Sequence, residues 1–164
     1  MDRKIVLGLI LITVMMLIIV SIMTYNYNID QKNARGLIFG HMLQSIQNNL
    51  ETEQIDFDAK LSVMRNNKST LEEFSIDAEK HFTVMKDLIS RYETLEPPEP
   101  YESAVKFFKL STQSQLDRDR QIVLFIKTGD SAYEARADDL HQESFEYELA
   151  ALADYKTAQT GQNP

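Results

Sequence analysis

Three histidines, His41, His81 and His141, are the side chains of this sequence best suited to ligate a metal or move a proton near neutral pH. Asp138 and His141 stand three residues apart, the spacing that puts two ligands on one helix face. A di-iron carboxylate bundle needs two Glu-x-x-His motifs and two further glutamates. This one imperfect copy falls short, so no metal site is expected. Met42, Met64 and Met85, with His81 and His141, carry atoms that could hold a haem iron. Methionine in a helical core ordinarily fills gaps, however, and no cofactor is expected. His81 falls in a core row, described below, and is read as a hydrogen-bonded or partly exposed core residue. The absence of cysteine excludes disulfides, thiolate metal sites, thiol nucleophiles and lipoprotein anchoring. No Ser-His-Asp arrangement, P-loop or glycine-rich phosphate loop is visible. The chain is not expected to be an enzyme.

The other candidate chemistry lies in the polar run Ser111 to Gln121. Ser111, Thr112, Gln115, Arg118 and Arg120 interrupt an apolar stripe, with Leu116 the only large apolar side chain among them. Such groups could line a pocket for a small polar or anionic ligand. Alternatively, the helix shows its polar face here and leaves Asp117 to Arg120 solvated. Arg118, Gln115 and Ser111 are the candidate ligand or partner contacts. Residues two apart lie ~200° apart on a helix. Only one of Arg118 and Arg120 can point inward, and Arg118 shares a seven-residue row with Ala104, Ser111 and Phe125. Asn67-Lys68-Ser69 is an N-glycosylation sequon in a predicted turn, which makes Asn67 a candidate acceptor.

These residues must be positioned by helices. Five glycines and four prolines are few for a turn-rich β fold. From Ile29 the apolar residues keep a seven-residue step through Gly36, Leu43, Leu50, Phe57 and Met64, with Phe39 and Ile46 on the neighbouring stripe. A long first helix follows from this, although Gln54-Ile55-Asp56 could break it. Thr70-Leu71-Glu72-Glu73 matches a capping box. The second helix carries two rows: Leu71, Ala78, Met85, Tyr92 and Phe74, His81, Leu88, Leu95. Glu96-Pro97-Pro98-Glu99-Pro100 ends it. A third helix is expected from near Pro98 to about Lys127. Gly129 suits its C-cap, and Asp130 suits the next N-cap. The fourth helix carries Tyr133, Leu140 and Tyr147 in one row. The adjacent row of Ala137, Ser144, Ala151 and Ala158 would allow close approach of a neighbour. Short connections make an up-down-up-down four-helix bundle the expected fold.

Ahead of the bundle, Ile5 to Met23 contains no charged residue. At ~1.5 Å rise per residue it spans about 28 Å, the thickness of a bilayer hydrocarbon core. Arg3 and Lys4 precede it, and Tyr25 and Tyr27 follow it at interfacial positions. A retained signal-anchor is expected; a cleaved signal peptide and a buried helix are the alternatives, and Ser21-Ile22-Met23 makes a poor cleavage site. The positive-inside bias puts residues 1–4 in the cytoplasm, 5–23 in the membrane and a bundle of 24–159 outside, with 160–164 a frayed tail. The net charge of the chain is −8; residues 1–23 carry +1, so the remainder carries −9. That disfavours nucleic acid as a partner and keeps a helical surface soluble.

An N-terminal anchor running into an antiparallel bundle resembles the periplasmic four-helix sensing domains of bacterial and archaeal chemoreceptors and sensor kinases. Those receptors continue into a second membrane helix and a signalling region, and neither is visible through Pro164. The stretch PPEPYESAVKFFKL…IKTGDSAYEARADDL is also similar to helical hairpins of uncharacterised prokaryotic cell-envelope proteins. Together these resemblances imply an envelope location. The expected function is a non-enzymatic binding or accessory module whose partner is another envelope protein. A ligand-sensing ectodomain with a separate signalling partner is the alternative, and a metal- or haem-binding bundle the third reading.

Overall fold

The computed structural model describes residues 34–66 and 69–161, and these are all-helical. Among them the chain forms α1 (Ala34–Arg65), α2 (Leu71–Glu93), α3 (Glu102–Thr128) and α4 (Ser131–Thr160), with a 3-10 turn over Glu99–Tyr101. The expected anchor at 5–23, the sequon asparagine Asn67 and the tail beyond Gly161 lie outside the described residues. Thr160, placed in the tail by sequence, is the last residue of α4.

Local chemistry sets the helix ends. Glu73 N donates to the Thr70 hydroxyl (3.2 Å), and Thr70 N donates to the Glu73 carboxylate (2.8 Å), which completes the capping box ahead of α2. Gly129 closes α3 at φ 71°, a left-handed conformation that costs glycine nothing. Asp130 then caps α4 by accepting from Ala132 N at 2.9 Å. Helix α3 begins later than Pro98. Pro100 has no amide proton to give, so the first turn closes as a 3-10 bond from Tyr101 N to Pro98 O (2.8 Å), and α-geometry starts at Glu102.

Helix α1 passes through Gln54-Ile55-Asp56 without a break. Gln54 spends its amide on other helices, and Asp56 pairs with Lys60 one turn on (2.6 Å), so neither competes for the local backbone.

The contacts run antiparallel from helix to helix. Gln47 meets Tyr92 and Phe57 meets Phe74 between α1 and α2. Glu93 meets Lys109 and His81 meets Asp119 between α2 and α3. Ser103 meets Asp154 and Ser111 meets Ser144 between α3 and α4. The core contains the expected rows: Leu43, Leu50 and Phe57 of α1, and Ala78, Met85, Leu88 and Tyr92 of α2. Leu71 departs from its row and is 40 % exposed, because it is the first residue of α2 and sits beyond the last core layer. The closest helix pair is α3 with α4. Its seam is the small-residue row, with Ala137, Ser144 and Ala151 buried against α3, while Tyr133 and Tyr147 flank it half-buried. Only such a tight approach lets the Ser144 hydroxyl reach the Ser111 carbonyl at 3.2 Å.

Candidate functional site

The bundle buries its polar groups in two clusters. The more charged one sits where α1, α2 and α3 face one another. His81 follows Phe74 by seven residues and therefore points into the core, where it is 3 % exposed. Its Nδ1–H donates to Glu53 Oε1 of α1 (2.8 Å), and its Nε2–H donates to Asp119 Oδ2 of α3 (2.9 Å). The Phe57 ring stacks on the imidazole, with centroids 4.2 Å apart. Asp119 is fully buried, and its Oδ2 also accepts from Gln54 Nε2 at 3.0 Å. Its Oδ1 accepts no hydrogen bond and faces Arg118 Nη1 at 3.4 Å. Arg118 also lies 3.7 Å from Asp58 Oδ1 of α1.

A neutral imidazole has one N–H and cannot donate to carboxylates on both sides. The geometry therefore calls for the imidazolium. Burial, the largest single influence, opposes that charge; the hydrogen bond and charge of Asp119, with those of Glu53, outweigh it and hold the His81 pKa above its ordinary value. Burial pushes the Asp58 carboxyl up, against the pull of Arg118. Burial and then the Arg118 cation push His141 down.

The second cluster lies nearer the start of α1. Gln47 Nε2 donates to Tyr92 Oη (2.8 Å), and Thr112 Oγ1 stands 3.3 Å from the same oxygen. Beside it Ser111 Oγ and Ser144 Oγ are 3.1 Å apart, and Gln115 Nε2 donates to Ser111 Oγ at 3.4 Å. One turn beyond Ser144, burial pushes the Glu148 carboxyl up to about 7. Among the described residues Glu148 has no hydrogen bond or ion pair to offset that burial.

The polar middle of α3 thus does not form one site. Ser111 and Gln115 belong to the seam with α4. Arg118 is turned inward, and its carboxylates come from α1 and from its own neighbour Asp119. Arg120 lies further out, paired with Asp117 (2.7 Å) and placed over the Phe82 ring. Asp119, which one of the two sequence readings of this run left in a solvated face, is the most enclosed charged residue of the core. The sequence does carry its signal: Val105, Phe108, Thr112, Leu116, Asp119 and Val123 follow steps of three and four, and all are buried. Gln47 and Gln54 occupy the same kind of position between Leu43, Leu50, Phe57 and Leu61. His41 is exposed on α1, twelve residues before Glu53 and roughly 18 Å away along the helix. His141 on α4 keeps an exposed edge while the rest of its ring is covered beside Arg118.

No protein-family model, curated protein or solved structure matches the chain.

Glu148 yields a direct prediction. Its folded pKa of about 7 exceeds the ordinary 4.5, so its contribution to stability is complete below pH 4.5 and is lost as pH rises through about 7. Glu148→Gln, which stays neutral, should match wild type at pH 4 and melt higher at pH 8. After solvent screening of a half-buried group, about 1–2 kcal/mol is expected, or roughly 3–6 °C in Tm. Thermal melts of the full-length protein at the two pH values check this; equal curves at pH 8 would show that Glu148 is ordinarily solvated.

Proposed function

We propose that the chain is a non-enzymatic binding or accessory module of the cell envelope, tethered by Ile5–Met23 with its N-terminus inside and its bundle outside. One observation carries the non-catalytic part of this reading. The charged side chains of the core are engaged with one another: His81 with Glu53 and Asp119, and Arg118 with Asp58 and Asp119. Groups so engaged hold helices together and are poorly placed to attack or polarise a substrate. The tether rests on the sequence of residues 5–23, because among the described residues no helix is long and apolar enough to cross a membrane.

A ligand-sensing ectodomain acting through a separate signalling protein is the second reading. The specific observation in its favour is that titratable groups from three helices meet at one buried point.

The natural absence of cysteine allows a clean test. Ser131→Cys introduces a single thiol at the exposed first residue of α4, beside the turn that follows α3. A membrane-impermeant maleimide should label it in intact cells, and the intact mass of the membrane-extracted protein should include residues 1–23. Crosslinking in the same membranes should then join the chain to a specific envelope protein. Labelling only after lysis would reverse the sidedness. A mature N-terminus near residue 24 would remove the tether, and a chain crosslinked to nothing would remove the binding role.

A further inference from the structure

We propose that the bundle senses protons through a carboxylate–imidazolium–carboxylate clamp, Glu53–His81–Asp119, which ties α1, α2 and α3 together while His81 is protonated and slackens when it is not. The proposal does not depend on the side of the membrane or on the tether.

Geometry carries it. His81 is hydrogen-bonded at once to α1 and α3, and both of its partners there are carboxylates. Both ring nitrogens face carboxylate oxygens, at 2.8 and 2.9 Å, and each contact requires an N–H. When the proton leaves, one nitrogen presents a lone pair to a carboxylate oxygen inside the core. That contact turns from attraction to repulsion, with little solvent to screen it.

The surrounding charges cannot take over. From α1 come Glu53 and Asp58, with Asp56 and Lys60 paired to each other further along. From α3 come Asp119 and Arg118, with Arg120 over the neighbouring Phe82. From α4, His141 interacts with Arg118 and Asp119, with Asp138 acting on His141 itself. On α2 itself, Asp77 and Lys80 pair at the surface. Protonated, the centre sets His81 and Arg118 against Glu53, Asp58 and Asp119. Deprotonated, it leaves Arg118 alone against the same three carboxylates, and Arg118 is already shared between Asp58 and Asp119.

The sign follows from linkage. The carboxylates raise the His81 pKa above its ordinary 6.5 in the folded state, so the clamp is fully made below pH 6.5 and is lost as pH rises through the folded value. Lys60 and Tyr92 are raised above values already beyond pH 9. Glu148, His141 and Asp58 are common to wild type and His81→Gln, so the difference between their pH slopes below pH 9 reports His81.

The experiment uses the full-length protein in detergent micelles with 15N-labelled histidine. His81, assigned by comparison with His81→Gln, should have both ring nitrogens protonated at pH 6 and lose one proton above pH 6.5. Over the same titration Tm should fall by about 5 °C or more, and amide exchange in the middle of α1 should quicken. His81→Gln, with one donor and one acceptor, should show a shallower fall than wild type below pH 9. A neutral His81 at pH 6 would overturn the proposal on the wild-type protein alone, whether or not the variant folds. So would a His81 that titrates while Tm and α1 exchange stay constant, or a His81→Gln variant that keeps the wild-type slope.

Discussion

Asp119→Ala is expected to lower the melting temperature of the bundle by roughly 6–20 °C. The substitution removes an acceptor at a fully buried position, strands His81 Nε2, and takes one partner each from Gln54 Nε2 and Arg118. Removing one partner of a buried ionic pair costs about 3–5 kcal/mol, mainly because the remaining charge is left desolvated. A domain of this size loses ~2–4 °C per kcal/mol. Asp119→Asn keeps an oxygen for Gln54 but loses the charge, so its melt should fall between wild type and Asp119→Ala. Combining Asp119→Ala with His81→Gln should cost less than the two changes summed, because the double variant no longer buries an imidazolium with one of its two carboxylates missing. Circular-dichroism melts at pH 6 measure all of these. An Asp119→Ala variant within ~3 °C of wild type would mean that the cluster contributes nothing to stability.

Leu88→Asp should be more damaging still. Leu88 is 1 % exposed and packs in the main hydrophobic cluster. An aspartate there loses the apolar contacts and buries a carboxylate with no cation beside it. That costs several kcal/mol (about 4 or more after relaxation), a large share of the ~5–15 kcal/mol that holds an ordinary domain together. Loss of a cooperative thermal transition is the expected readout. Leu71→Asp provides the contrast. Leu71 shares the seven-residue pattern of α2 but is exposed in its first turn, where a carboxylate favours the helix N-terminus. It should melt close to wild type. If both variants melted alike, the core of α2 would be misassigned.

The two leucines show what sequence conveys about this fold. Spacing identifies the helix and the row, because apolar periodicity is local. It cannot say where a row leaves the last core layer, because that depends on how far the neighbouring helices extend. The helix ends were legible for the same local reason: Thr70 with Glu73, Gly129 and Asp130 each act on backbone within a turn. The small row of α4 was legible too, and it became the tight seam with α3.

The charged cluster was only half legible. His81 could be placed inside from its row. Its partners could not be paired with it, since Glu53 and Asp119 lie 28 and 38 residues away and meet it only through packing. Asp119 sits within Asp117-Arg118-Asp119-Arg120, a run whose alternating charges read as a solvated face. Helical phase brings one of the four to the core while Arg118 covers it from the side.

The polar residues on the inner face of α1 carry one last consequence. Leu43, Leu50 and Phe57 repeat every seven residues, so apolar packing alone would tolerate α1 sliding by a whole heptad along its neighbours. Gln47, Glu53 and Gln54 would not. A slide one way would set Ile46 beside His81 and Gly40 beside Tyr92. A slide the other way would set Leu61 beside Asp119. Either move strands buried charges and hydroxyls that only the native alignment satisfies. The groups that add least to burial thus fix the register of the longest helix, as single polar residues do at the seams of coiled coils.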